Sequence, residues 1–294
     1  LKILPDPLPE PGLSGSATGI YRSNNNTMGA SAEARYREGE QFLSGRLSYQ
    51  RFDDYRVPAE EFTYNGFLLP ITDNTLKNTA GELFSYRLNY GVQKRTYSSR
   101  YLFSHYQQRV GLYPGATGIP RAYDVGDVGL GSDIALPNQE VRHTKFYTKQ
   151  NFKIGGHWLR VDAGYQFNDR AENSLPHNHG FEKLDSSNTL ALGLKLHTLS
   201  LNADYSWHNS WAEFTVGTNQ QYKRNFRDGF EYLIPEFATY NAGAFALAEG
   251  EWKEKWFWNG GFRLDYGTVN APRSTTRWWN DYDSMVVRSP EIQR

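Results

Sequence analysis

Two histidines separated by one residue, His177 and His179, lie in a polar stretch with Glu182 and Asp185, and are by type the residues best suited to hold a metal. Imidazole nitrogen suits zinc, copper, iron and nickel; in an extended or turned backbone the two rings can share one ion, or act as axial ligands of a haem or a capture site for a metal chelate. The spacing positions no third ligand, so a solvated polar loop is the rival and simpler reading. A second set combines aromatic and basic residues: Tyr113, Arg121, Tyr123, Phe230, Tyr232, Trp278 and Trp279. Arginine and tyrosine suit an anionic or catecholate chelate through paired hydrogen bonds, cation–π contact and stacking. The same residues can equally pack their loops on one another, and 274–279 reads as well as a loop folded against its neighbour. No catalytic constellation stands out. There is no G-x-S-x-G, H-E-x-x-H or Walker loop, and no G-x-G-x-x-G opening a helix; Gly126, Gly129 and Gly131 read as turn residues. The expectation is a protein that is not an enzyme and has no intrinsic cofactor.

The elements that position these residues are strands. From Trp158 to Asn168 the chain reads WLRVDAGYQFN, which sets Leu159, Val161, Ala163, Tyr165 and Phe167 on one face and Arg160, Asp162, Gly164, Gln166 and Asn168 on the other. Phe84, Tyr86, Leu88, Tyr90 and Val92 alternate with polar neighbours, as do Trp256, Trp258, Phe262, Leu264 and Tyr266. Weaker alternation covers most of the remainder, no segment has a helical period, and the total is about eleven strands. Within 189–207 the apolar set changes phase, from Leu190, Leu192, Leu194 and Leu196 to Leu199, Leu201, Ala203, Tyr205 and Trp207. A β-bulge near Thr198 predicts such a slip, with a tight turn as the rival.

Composition narrows the class. The chain has 294 residues, 32 basic against 32 acidic, no cysteine, and 15% aromatics, yet a mean hydropathy of -0.70. That aromatic content argues against disorder. The apolar runs are too short for a spanning helix, which needs roughly 20 residues. Zero net charge gives no support for a nucleic-acid partner, and the lack of cysteine removes disulfides and thiolate metal sites. The chain opens at Leu1 with no initiator Met and no signal stretch, which reads as a processed protein or a piece of one.

Connections alternate in length. Tight turns fall at Gly39–Glu40, Lys94–Arg95, Gly155–Gly156, His208–Ser210 and Lys253–Lys255, and long connections at 53–80, 109–140, 169–188, 225–238 and from 271. Short turns at one end and long loops at the other mark a transmembrane barrel rather than a sandwich. Trp158, Trp207, Trp211, Trp252, Trp256 and Trp258 flank the tight turns and read as an interfacial girdle, against the alternative of tryptophans packing beneath turns in any β protein. Arg35, Arg46, Arg87, Arg160 and Arg263 on polar faces near mid-strand call for a wide lumen, wet or plugged.

Three stretches then resemble a known family, the TonB-dependent outer-membrane receptors. LKILPDPLPEPGLSGSATGIYRSNNN, residues 1–26, is similar to the junction between plug domain and first barrel strand; FLSGRLSYQRFDDYRVP, 42–58, resembles a barrel strand entering an external loop. The run 196–267, above all GFEYLIPEFATYNAGAFALAE followed by a Trp-rich turn and GGFRLDYG, resembles successive barrel strands of the family. The resemblance implies an all-β protein, a transmembrane antiparallel barrel of roughly 22 strands with a plugged lumen. It divides the chain into the end of the plug and linker over 1–12, barrel strands one to eleven over 13–270, and an external loop or the start of further sequence over 271–294. It further implies uptake of a ferric siderophore, haem or other metal chelate, zinc included, across the outer membrane of a Gram-negative bacterium. The implied partners are the TonB complex, reached through a plug region outside this sequence, the plug domain of the same polypeptide, and outer-membrane lipid. The runner-up is a smaller self-sufficient barrel of about twelve strands, a passive porin or autotransporter-type translocator; Ser289–Arg294 lacks the aromatic-ended strand that reading requires. A soluble all-β glycan-binding protein is the third reading and leaves the one-sided loops unexplained.

Overall fold

The computed structural model describes residues 8–64, 67–113, 131–175, 187–253, 255–272, 275–279, 284–288 and 292–293. Eleven long antiparallel strands make one meandering sheet in which each pairs with its sequence neighbours. They are β1 (Gly12–Arg22), β2 (Thr27–Glu38), β3 (Gln41–Phe52), β4 (Gly81–Gln93), β5 (Tyr97–Gly111), β6 (Asn138–Ile154), β7 (His157–Asn173), β8 (Leu190–His208), β9 (Ala212–Asp228), β10 (Phe237–Trp252) and β11 (Trp256–Ala271). Outside the eleven there are short pairs, Tyr55–Arg56 with Thr75–Leu76, Glu61–Tyr64 with Phe67–Pro70, and Thr275–Trp279 with Ser284–Arg288. The last sits in the stretch expected to be a loop, and Ile292–Gln293 returns to pair with the end of β11. Among the described residues β1 and β11 are not paired with each other, so the sheet is open at both edges.

The register carries the alternation across every strand. Tyr101 of β5 pairs with Tyr90 of β4 on one side and Thr148 of β6 on the other, and Tyr90 pairs in turn with Leu43. The same row parity links Ala163 to Leu201, Leu201 to Gln220 and Ala244 to Leu264. One face is therefore apolar from β1 to β11, and it is bare: Leu13, Leu43, Leu47, Leu88, Phe146, Leu199, Leu201, Phe262 and Leu264 are all exposed. Among the described residues the buried apolar side chains are few and scattered, from Phe42 and Ala80 to Leu192 and Ala212. The sheet thus holds its aromatic and aliphatic residues on the outside of the wall instead of around a core, which accounts for a chain that is both aromatic-rich and hydrophilic on average.

The expected bulge at Thr198 is not there. β8 pairs without interruption with β7 from Ser206 opposite Trp158 to Gly193 opposite Ala171, and with β9 over the same stretch. The irregularity lies higher, at Leu190–Leu192 opposite Glu172–Asn173. The phase change has a different cause: Leu192, Leu194 and Leu196 keep the parity of the polar face, and the chain after β9 folds over its upper end. There the Phe230 N–H donates to the Leu190 carbonyl at 3.2 Å and the Glu231 N–H to that of Ala191 at 2.8 Å, leaving Leu192 1% exposed. The loop shields Leu192, while Leu194 and Leu196 stay half-exposed on the polar face, and there is no slip in register.

Candidate functional site: the polar wall and the loop bases

On the apolar face, charge is confined to the ends of the strands. β7 presents Leu159, Val161, Ala163, Tyr165 and Phe167 before Asp169, and β8 presents Tyr205, Ala203, Leu201 and Leu199 before His197 and Lys195. Toward the long loops the first charges meet across the strands as opposite pairs: Arg51 faces Glu82, Glu82 faces Arg109, Arg142 faces Asp169 and Asp169 faces Lys195. Arg109 lies 3.3 Å from Glu140. Between that row and the tight turns runs an uncharged belt about as long as the 9–11 tilted residues that a strand needs to cross the hydrocarbon core.

The tryptophans mark the other limit of the belt. Trp207, Trp252, Trp256 and Trp258 have the parity of the apolar face, and Trp211, in the turn before β9, stacks on Trp258 at 5.8 Å. Lys253 sits 4.6 Å from the centre of the Trp252 ring. Trp158 departs from the expected girdle: it has the parity of Arg160, on the polar face, with Lys153 5.6 Å over its ring.

The opposite face carries the charged and most of the polar residues, with apolar ones such as Leu102, Leu192 and Phe245 among them, and its charges pair along it. Arg35 donates to Glu33 at 2.8 Å, Arg160 to Asp204 at 2.5 Å, and Arg263 lies 2.6 Å from Asp265. Arg46 and Arg87 are directly opposite each other on β3 and β4. Arg87 reaches the same Glu33 carboxylate at 3.9 Å. All five arginines expected to face a lumen stand on this face. The sheet has an inner face that must meet water or protein and an outer face that must meet neither.

Of the residues expected to capture a ligand, Phe230 and Tyr232 sit in the connection 229–236 beyond β9. Arg227 organises this stretch: its Nη1 donates to the carbonyls of Gly229 and Glu231 at 3.2 and 3.1 Å, and its guanidinium lies 4.9 Å from the centre of the Tyr232 ring. Gly229 adopts φ +94, and a Cβ there would fall 2.4 Å from the Ala191 carbonyl oxygen. Tyr113 packs edge-on against Phe62 at 5.4 Å, and burial raises its phenol above the ordinary tyrosine range. Trp278 and Trp279 pair with Met285 and Ser284 along their backbone. Arg121, Tyr123, His177 and His179, and with them the proposed metal pair, lie outside the described residues. Among the described residues no group of three or more His, Cys, Asp or Glu side chains converges on a metal-sized site.

Sequence reasoning missed the joint that holds the loop bases. Asn78, fully buried, donates through Nδ2 to the carbonyls of Leu112 at 2.9 Å and Pro137 at 2.7 Å, and accepts from the Ala135 N–H at 2.9 Å. It ties the end of the first long loop to both ends of the second. Beside it the Asp54 carboxylate accepts the N–H groups of Thr79 and Ala80 at 2.6 and 2.9 Å, while the Asp54 N–H donates to the Gly131 carbonyl at 2.9 Å. A single Asn in a polar loop carries no pattern that announces such a joint.

A continuous meander, an uncharged outer belt with charged and tryptophan-rich margins, a polar inner wall and long loops at one end define the wall of an outer-membrane type β-barrel. Solved structures agree on the fold. The FrpB iron transporter from Neisseria meningitidis, F5-1 variant in its apoprotein form, is similar with a TM-score of 0.60 at 14% identity, over 94% of this chain and 41% of that one. The F3-3 variant gives 0.58 at 16% identity, again over 94% and 41%. The chain therefore spans about two fifths of those proteins' length. No family model and no curated protein sequence matches the chain.

Proposed function

We propose that this chain is part of the barrel of an outer-membrane transporter that takes up a scarce nutrient, in the manner of the TonB-dependent receptors. The observation that carries the proposal is the open eleven-strand wall with a polar inner face, aligned over 94% of its length with a segment of an iron transporter's fold. An open sheet edge is not tolerated in hydrocarbon, so further strands must close the wall; roughly 22 in all leave a lumen wide enough for a plug from the same polypeptide. The cargo class is a ferric siderophore, haem or another metal chelate, with zinc supported only by His177 and His179. Cargo binds the long loops and upper inner wall, and the plug yields under force transmitted from the TonB complex. The tryptophans outside Trp158 anchor the tight-turn end in the lipid interface on the periplasmic side. No covalent chemistry is involved, and the protein needs no catalytic residue or resident cofactor. The test is accumulation of radiolabelled iron chelates by iron-starved cells carrying the full-length gene. Uptake that requires both the gene and TonB supports the proposal. Passive entry of small solutes that is indifferent to TonB replaces it with a porin.

A further inference from the structure

We infer that the outer face of β9 and its neighbours is a contact surface for a second copy of this barrel, centred on Gln220. Along β9 the outward residues between the tryptophan margin and Arg224 are Phe214, Val216, Thr218, Gln220 and Tyr222. A primary amide thus stands inside the uncharged belt, on the side that meets lipid. Thr218 and Gln150, also outward, are satisfied inside their own sheet. The Thr218 hydroxyl donates to the Gly243 carbonyl at 2.9 Å, and Gln150 accepts from the Tyr97 hydroxyl at 2.8 Å and donates to Thr148 at 2.6 Å. Gln220 is satisfied at one end only. Its Oε1 accepts the Tyr240 hydroxyl at 3.2 Å, and its Nε2 has no acceptor among the described residues. Turning the amide over exchanges the paired end and leaves the other bare.

An unpaired polar group in hydrocarbon is costly, and at this depth neither water nor a lipid headgroup supplies a partner. Further strands close the wall at its two open edges, away from β9, and loops do not run over a lipid-facing surface within the hydrocarbon. The partner group must therefore come from another protein in the same membrane. A second copy carries one at the matching depth. A two-fold axis along the membrane normal brings Gln220 opposite Gln220, and an amide, donor and acceptor at once, bonds reciprocally to its own image. The neighbouring strands suit that approach. On one side of Gln220, β10 presents the small Ala242, Ala244 and Ala246; on the other, β8 presents Leu199, Leu201 and Tyr205. The two-fold turns the bulky column of each copy towards the alanines of the other, and small residues at such a contact let the backbones come close. Four strands about 4.8 Å apart across a belt about 25 Å tall offer about 500 Å² per copy, or about 1,000 Å² for the pair, the size at which a specific interface begins.

The inference rests on the outer face lying in lipid and not on what the barrel transports. The test measures energy transfer between donor-labelled and acceptor-labelled copies of the full-length protein in lipid vesicles, over a range of protein-to-lipid ratios. The parent is expected to dimerise. Gln220→Leu, which suits the lipid face, is expected to weaken the dimer at least tenfold, since two hydrogen bonds lost from hydrocarbon are worth about that factor. Ala244→Trp is expected to prevent it by holding the walls apart. Gln150→Leu, on β6 and away from the contact, is expected to leave association within about twofold. Heat-modifiable migration confirms that each variant is folded. A parent that stays monomeric at every ratio overturns the inference, and so does a dimer that is equally strong in folded Gln220→Leu or Ala244→Trp. Dimerisation by a protein without TonB-dependent uptake would overturn the transporter and leave the contact surface standing.

Discussion

Replacing Asn78 should release the bases of two loops at once, by an amount that follows from its bonds. Its amide makes three hydrogen bonds to backbone groups at 2.7–2.9 Å from a fully buried position. Asn78→Ala orphans the carbonyl of Leu112 and the N–H of Ala135, while the Pro137 carbonyl keeps the Leu112 N–H at 2.8 Å. A buried group left unpaired costs about 1–3 kcal/mol; the low end applies where water can enter at a loop base, giving about 2–4 kcal/mol in all. Asn78 has φ 58, a conformation that asparagine tolerates, and alanine adds about 1 kcal/mol of backbone strain there. Asn78→Gly separates the two causes, because it relieves the strain and still loses the bonds. The assay is amide hydrogen exchange by mass spectrometry on the full-length protein. Exchange in peptides covering 109–113 and 135–140 should accelerate by about a hundredfold in both variants, at roughly 1.4 kcal/mol per tenfold, with no change in the belt of β7 or β8. Exchange within tenfold of the parent in the Gly variant would refute the joint.

Three further outcomes follow from the same geometry. Leu201→Arg, on the outer face, should destabilise the folded barrel in lipid vesicles by about 2–4 kcal/mol, while Asn202→Arg, one residue on and facing inward, costs under about 1 kcal/mol; urea unfolding in vesicles reads both. Gly229→Ala drives a Cβ to 2.4 Å from a backbone oxygen and Arg227→Met removes two donors and a ring contact, so each should loosen 229–236 by about 1–3 kcal/mol, seen as faster limited proteolysis there. The Tyr113 phenol is raised by burial. Its contribution to loop stability is therefore whole below the ordinary tyrosine pKa of about 10 and is lost as pH rises through the raised value; an ultraviolet difference titration of Tyr113→Phe against the parent should show the missing phenolate appearing above that ordinary value.

The fold was legible because its cause is periodic. Each strand repeats a two-residue pattern, and Leu159–Phe167 or Phe84–Val92 states which face meets which medium without reference to any other strand. The phase change in 189–207 was misread because periodicity alone equates a slip in register with a change of surroundings; the covering of Leu192 comes with residues 229–231, distant in sequence, bonded to Leu190 and Ala191. Trp158 shows the same limit, since turn proximity placed it at the right end of the strand and its parity placed it on the other face. Arg46 and Arg87 were recognised as inward residues, but their opposition depends on the register of β3 with β4, which a 41-residue interval hides from any local pattern. Asn78 was invisible for the reason that its partners are backbone groups, which every residue possesses.

The central claim, that one face of this sheet lies in lipid and the other lines a lumen, is tested most directly by a cysteine scan, aided by the absence of native cysteine from these 294 residues. Single cysteines at 199 to 204, spin-labelled in the full-length protein in lipid vesicles, are compared for collision with oxygen, which partitions into hydrocarbon, and with a water-soluble nickel chelate. The account predicts strict alternation, with 199, 201 and 203 favouring oxygen and 200, 202 and 204 favouring the chelate or a contact that excludes both. Equal access of the nickel chelate to all six positions would contradict it.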